Sequence, residues 1–385
     1  ISDASVRSGS HRFSLAGSIR DYLEEHAAFD LTVKGLLALN EIRDYYPVDE
    51  ELGLEMEGSV DSDVRITGRI DQLENIQLRG TVSTTEVAVQ SPDLMLPLRD
   101  LNGRIRFTGD SFETDEITFF FGASDYLIAG RVERFMAIME EAGSVDPARF
   151  TGRFHSSFFD SDEFMDFEDV PEEPEPFDAW LPNLEGSIDV DIERLLFFTL
   201  EATDISGTIQ MTPTSIFSER AVLSMYQGEM EGAFRWDIFA PDHTGVTFNG
   251  ELRNMRVEEL FADFEIGNLS EHVRADFSAS TQFYAEFDEY MEMNMAEVKA
   301  DGDFGMEEAR IVDHPVQESL AQLFRSDELK DLSLDHWTAT YLIEDGVLTL
   351  TDFNLTSRDI GLNLSGTQHL ITEALDYRAE VVLPS

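Results

Sequence analysis

The chain is 385 residues long and 42% hydrophobic, with 29 Phe and no Cys. It is too apolar for a disordered polypeptide, and disulfides, zinc–thiolate sites and cysteine nucleophiles are excluded. Its 78 Asp plus Glu stand against 27 Lys plus Arg, a formal net charge of −51, which opposes nucleic acid and anionic lipid headgroups alike. Such an acid-rich, lysine-poor surface, with Lys34, Lys299 and Lys330 its lysines, fits a salt-adapted source where ions screen self-repulsion.

The chain opens on Ile1 with no charged-then-apolar leader, and the expectation is a piece whose N-terminal anchoring segment lies upstream. From there a unit recurs: apolar-x-Gly-x-apolar, around Gly17, Gly35, Gly58, Gly68, Gly80, Gly103, Gly130, Gly152, Gly186, Gly207, Gly232 and Gly250, with looser copies at Gly302 and Gly366. LNGRIRFTG (101–109) shows the form. Leu101, Gly103, Ile105 and Phe107 alternate with Asn102, Arg104 and Arg106, a strand with one apolar and one polar face. Roughly 25 such strands in an antiparallel meander, about 4.8 Å apart, extend about 120 Å. Open sheets seldom exceed about 10 strands without curling, and glycine on the apolar face permits bending.

Helical spacing is confined to Gly35–Pro47, Val132–Gly143, Arg256–Phe264 and His314–Phe324. These are too few to cover a sheet made from most of the chain. EDVPEEPEPFDAWLP (168–182), with prolines among acids, predicts an extended linker between an N-terminal β module (1–167) and a C-terminal one (183–385). No run of about 18 apolar residues predicts a spanning helix. An outer-membrane barrel fits poorly, because the helices and linker interrupt the apolar band such a barrel needs.

No Gly-x-Ser-x-Gly, Walker or His-Glu-x-x-His motif is present. Asp61-x-Asp63, Asp160-x-Asp162 and Asp189-x-Asp191 lack the glycine and glutamate of a helix-loop-helix calcium loop. The expectation is a non-enzyme without metal or cofactor. TFFFG (118–122) and YMEMNMAEV (290–298) read equally as core filling or as an adaptable apolar lining.

Three stretches resemble the AsmA family of bacterial envelope proteins. They are LRGTVSTTEVAVQSPDLMLPLRDLNGRIRFTGDSFETDEITFFFGASDYLIAGRV with HSSFFDSDEFMDF, then LSMYQGEMEGAFRWDIFAPDHTGVTFNGELRNMRVEELFADF, and finally GDFGMEEARIVDHPVQESLAQLF followed by LSLDHWTATYLIEDGVLTLTDFNLTSRDIGLNLSGTQHL. The resemblance implies a periplasm-facing protein related to bridge-like lipid carriers such as TamB, with no catalytic residues to carry over. The chain is therefore expected to be mainly β: a long curved antiparallel sheet of many short strands forming an open hydrophobic groove, with a few short helices. The expected function is to shelter phospholipid acyl chains between inner and outer membranes, anchored to the inner membrane and in contact with envelope proteins. The expected lining is Ile105, Phe107, Phe119, Phe121, Ile128, Val132, Ile188, Val190, Phe234, Trp236, Met291, Met293 and Met295. The alternative is a scaffold for outer-membrane assembly whose sheet packs on itself.

Overall fold

In the computed structural model the described residues are 4–8, 11–21, 23–24, 26–44, 53–92, 94–140, 143–164, 176, 179–197, 200–263, 269–312, 331–357, 360–372 and 374–382. They are mainly β, with 21 strands and two short α-helices among them. Two compact units divide the chain. One holds residues 1–170, 181–198 and 208–214; the other holds 171–180, 199–207 and 215–385.

The first unit runs β1 (Ala4–Ser8), β2 (His11–Arg20), β3 (Ala28–Ala38), β4 (Glu55–Arg69), β5 (Gln72–Gln90), β6 (Leu98–Gly109), β7 (Ser111–Phe121), β8 (Ser124–Glu133), β9 (Ala148–Ser156), β10 (Phe159–Asp160) and β11 (Leu184–Phe197). Each strand from β1 to β9 pairs antiparallel with the next. Strand β11 departs from the expected meander by lying parallel to both β9 and β10. The ladder thus resumes beyond the acidic proline segment; the bounds between the units fall at 170/171 and 180/181, at either end of that segment, and again at 198/199, at 207/208 within β12 (Leu200–Thr212) and at 214/215. Much of that segment, 168–175 and 177–178, lies outside the described residues.

The second unit is a ladder of β13 (Ser215–Met225), β14 (Gly228–Ala240), β15 (His243–Arg256), β16 (Val273–Phe287), β17 (Lys299–Val312), β18 (Asp331–Glu344), β19 (Val347–Ser357), β20 (Ile360–His369) and β21 (Leu375–Val382). All these neighbours pair antiparallel. Between β15 and β16 lie α1 (Val257–Asp263) and α2 (Leu269–His272). Asp345-Gly346, both left-handed (φ 53° and 70°), makes the two-residue turn from β18 to β19 that an Asp-Gly pair favours. Among the described residues no pairing closes either ladder; β1 and β21 are free edges.

The predicted helices fare unequally. Within Arg256–Phe264, Val257–Asp263 becomes α1 directly after Arg256, the last residue of β15. In Gly35–Pro47 the described residues, 35–44, do not form an α-helix. Gly35 and Leu37 register on Ser62 and Val60 of β4, and only Leu39–Asp44 winds into a 3-10 turn. Short apolar runs satisfy both periods, and here the cross-strand partner decides. In Val132–Gly143 the strand continues to Glu133, Arg134 turns left-handed (φ 53°), and Phe135–Met139 is 3-10. The Arg134 guanidinium is engaged by Pro147 O at 2.5 Å and by Asp146 at 3.4 Å, which pins that break. His314–Phe324 lies outside the described residues.

Bulges interrupt the ladders at regular sites. Asp100 and Asp352 adopt φ near 50° beside register shifts in β6–β7 and β19–β20. In each case the amide of the Asn two residues on donates to the aspartate carbonyl, Asn102 at 2.8 Å and Asn354 at 2.7 Å. Aspartate tolerates this conformation, and a bulge bends its strand and increases twist. Gly103 has a related purpose. A Cβ there would stand 2.9 Å from Glu116 O and 2.8 Å from Ile117 Cγ1, where β7 carries its own irregularity. The missing side chain admits the neighbouring strand and its isoleucine.

Candidate functional site

Register decides which side chains share a face. On β6, Ile105 and Phe107 lie opposite Val82 and Gly80 of β5, and these lie opposite Ser62 and Val64 of β4. Across β6–β7, Phe107 meets Phe112; the same face of β7 carries Phe119 and Phe121, which meet Tyr126 and Ser124 of β8. Ile128 and Val132 follow on β8, opposite Phe154 and Phe150 of β9. Ile188 and Val190 of β11 lie beside Gly152 and Phe154. The eight lining residues expected in this unit therefore stand on one face, and all eight are half-buried. In the second unit Phe234 and Trp236 share a face with Val246 and Phe248, again half-buried.

Met291, Met293 and Met295 do not belong to such a face. They sit in an irregular loop, residues 288–298, between β16 and β17, and are 44%, 40% and 37% exposed. Asp288 organises the loop: its Oδ1 accepts from the Tyr290 N–H at 2.9 Å and the Glu292 N–H at 3.0 Å. Such aspartate turns compete with a ladder for backbone donors, so alternation of Met with polar residues did not yield a strand here.

The opposite face of the first unit is built from ion pairs. Arg65 grips Asp30 through two hydrogen bonds of 2.8 and 2.7 Å, and Lys34 meets Asp63 at 2.6 Å. The Arg65 bond holds the Asp30 carboxyl below its usual range, and the Asp63 bond raises the Lys34 ammonium. In the second unit Arg253 bridges Glu229, Glu231 and Glu251. These pairs are exposed, and their value lies in ordering a polar surface more than in stability. Asp63 and Asp189, from the aspartate pairs weighed as calcium ligands, are engaged instead by Lys34 and by the Thr208 hydroxyl. Among the described residues no group of three or more acidic or histidine side chains is set to hold a metal.

Between the faces the large apolar side chains are incompletely covered. Among the described residues the fully buried apolar positions are mostly alanine and valine, and no Phe, Ile or Trp is fully buried. Part of the apolar face packs on itself. Phe107, Phe112 and Phe135 form a cluster with centroids 5.8–6.3 Å apart. Tyr126 stacks on Phe119 at 4.8 Å and meets Phe154 and Phe159 edge-on. A cleft of about 440 Å³ at the ends of β4, β5 and β6 is lined by Leu39, Leu54, Met56, Val89 and Leu98 together with Asn40, Glu55, Glu57, Gln90 and Arg99, a mixed polar and apolar wall. That volume lies within the range of small-ligand pockets. Sequence reasoning missed this cleft, although Val87 and Val89 carry the same alternation as the strands it used.

No protein-family model, curated protein or solved structure matches this chain. The AsmA resemblance rests on the motifs quoted above.

Proposed function

We propose that the protein binds lipid non-covalently, laying acyl chains along the apolar sheet faces while headgroups stay in water. The observation that carries this reading is the absence of full burial for any Phe, Ile or Trp among the described residues, together with register that collects them on one face per unit. Apolar side chains gathered on one face and left partly uncovered support a binding role for that face. An acyl tail of about 15 carbons gains on the order of 10 kcal/mol when withdrawn from water, at about 0.8 kcal/mol per methylene. Strand after strand repeats a similar lining, so displacement of the chain from one strand to the next changes little energy. Holding and transfer then need no catalytic group. The AsmA resemblance fits a periplasmic setting between two membranes.

A second reading has its own support. The Phe107–Phe112–Phe135 and Tyr126–Phe154–Phe159 clusters are side chains filling the face themselves, as a scaffold would require. Solvent extraction of the purified protein followed by mass spectrometry separates the two. Near-stoichiometric phospholipid supports lipid binding, and a clean extract supports the scaffold.

A further inference from the structure

The two ends of the second ladder differ. At one end α1 lies against the sheet: Val257 packs with Val273, Ala275, Met306 and Ala309, and Phe261, Phe277, Trp337 and Leu355 close around them. At the other end lie four turns, at 241–242, 288–298, 345–346 and 370–372, and no helix covers them among the described residues. This end carries Trp180, Phe239, Tyr290, Met291, Ile371 and Leu375, all exposed; Trp180 is 72% and Leu375 65% accessible. Trp180 belongs here because the neighbouring Ala179 N–H donates to Pro241 O at 2.9 Å. Ile371 belongs beside the methionine loop, since both approach Gly346. Asp242, Asp288, Glu289, Glu292, Glu297 and Asp345 are interspersed, and the four turns contain no lysine or arginine.

We infer that this rim docks on bilayers of zwitterionic, ammonium-headed lipid. Exposed Trp and Tyr with aliphatic neighbours suit the headgroup–acyl boundary. The carboxylates and aromatic faces complement the outward ammonium groups, the aromatic rings through cation–π attraction. Anionic headgroups meet a surplus of negative charge, the exposed Lys299 at the start of β17 being outnumbered by the six carboxylates. Docking is distinct from acyl-chain storage along the face, and each can fail without the other.

The test is flotation of the full chain with vesicles of phosphatidylcholine, of phosphatidylcholine plus phosphatidylethanolamine, and of phosphatidylcholine plus phosphatidylglycerol. Binding to the first two and weaker binding to the third is expected, with added salt restoring the third. A variant carrying Trp180→Ser, Met291→Ser, Ile371→Ser and Leu375→Ser loses at least about tenfold in vesicle affinity, from the apolar area it no longer buries. Because these side chains are exposed, its circular dichroism and extractable lipid stay as in the parent chain. Independently, in a chain carrying Trp236→Phe and Trp337→Phe, phosphatidylcholine vesicles shift the remaining tryptophan emission, that of Trp180, to the blue. Binding to no vesicle, preference for the anionic ones, or parent-like binding by the fourfold variant overturns the inference.

Discussion

Gly103→Ala asks what the glycines on the apolar face are for. A methyl group there would meet Ile117 Cγ1 at 2.8 Å, Glu116 O at 2.9 Å and Ile117 Cα at 3.0 Å. Two of these are backbone atoms of a strand already displaced by a bulge, so relief requires the β6–β7 pair to separate. Overpacking of this kind costs about 1–3 kcal/mol. For a unit of this size that lowers the melting temperature by roughly 4–8 °C at the middle of the range. Gly305 is the control. An added Cβ finds Trp337 O at 3.5 Å and Thr338 Cγ2 at 3.6 Å, ordinary contacts, and no left-handed backbone demands glycine. Gly305→Ala is expected to gain about 0.4–1 kcal/mol by restricting the unfolded chain. Thermal unfolding of the two variants in one buffer decides. Equal melting temperatures, or a Gly103→Ala protein as stable as its parent, refute close strand approach as the glycine's purpose.

Replacing Ile105 and Ile128 by Ser removes half-buried apolar surface, with an expected cost of about 1 kcal/mol each and a larger proportional fall in extractable lipid; calorimetry beside lipid quantification checks the split. Glu286 accepts from the Tyr284 hydroxyl at 2.5 Å and contacts His243 at 2.8 Å, and these partners hold its carboxyl below 4.5. A depressed folded-state value supplies stability above the unfolded value and loses it as pH falls through the folded one. Glu286→Gln should therefore flatten the loss of stability below about pH 4.5, seen in urea titrations across that window. Asp288→Ala orphans two loop N–H groups, costs about 1 kcal/mol, and should open 288–298 to limited proteolysis while the ladders persist.

Much of the fold is written in the period of two. Ile105, Phe107, Phe119, Phe121, Ile128, Val132, Ile188 and Val190 reach one face because each strand alternates and register then aligns the alternations. Helix α1 was equally legible, since Val257, Leu260 and Phe261 repeat at three to four residues. What stayed hidden depends on partners remote in sequence. Gly35–Leu37 became strand because Ser62 and Val60 lay opposite, and β11 turned parallel because β9 was its neighbour. The methionine loop had a local signal in Asp288, which an alternation test ignores. The Asp-x-Asn bulges at 100–102 and 352–354 were also readable, and together with the glycines they account for where the strands bend.

The central claim is that lipid lies on one face of the sheet and not the other. A photo-activatable side chain at position 188, compared with one at position 189, reads this directly, because Ile188 stands on the apolar face and the exposed Asp189 on the polar one. Irradiation of the lipid-loaded protein should give lipid adducts at 188 and none at 189; equal labelling at both, or none at 188 on protein that carries lipid, contradicts the account.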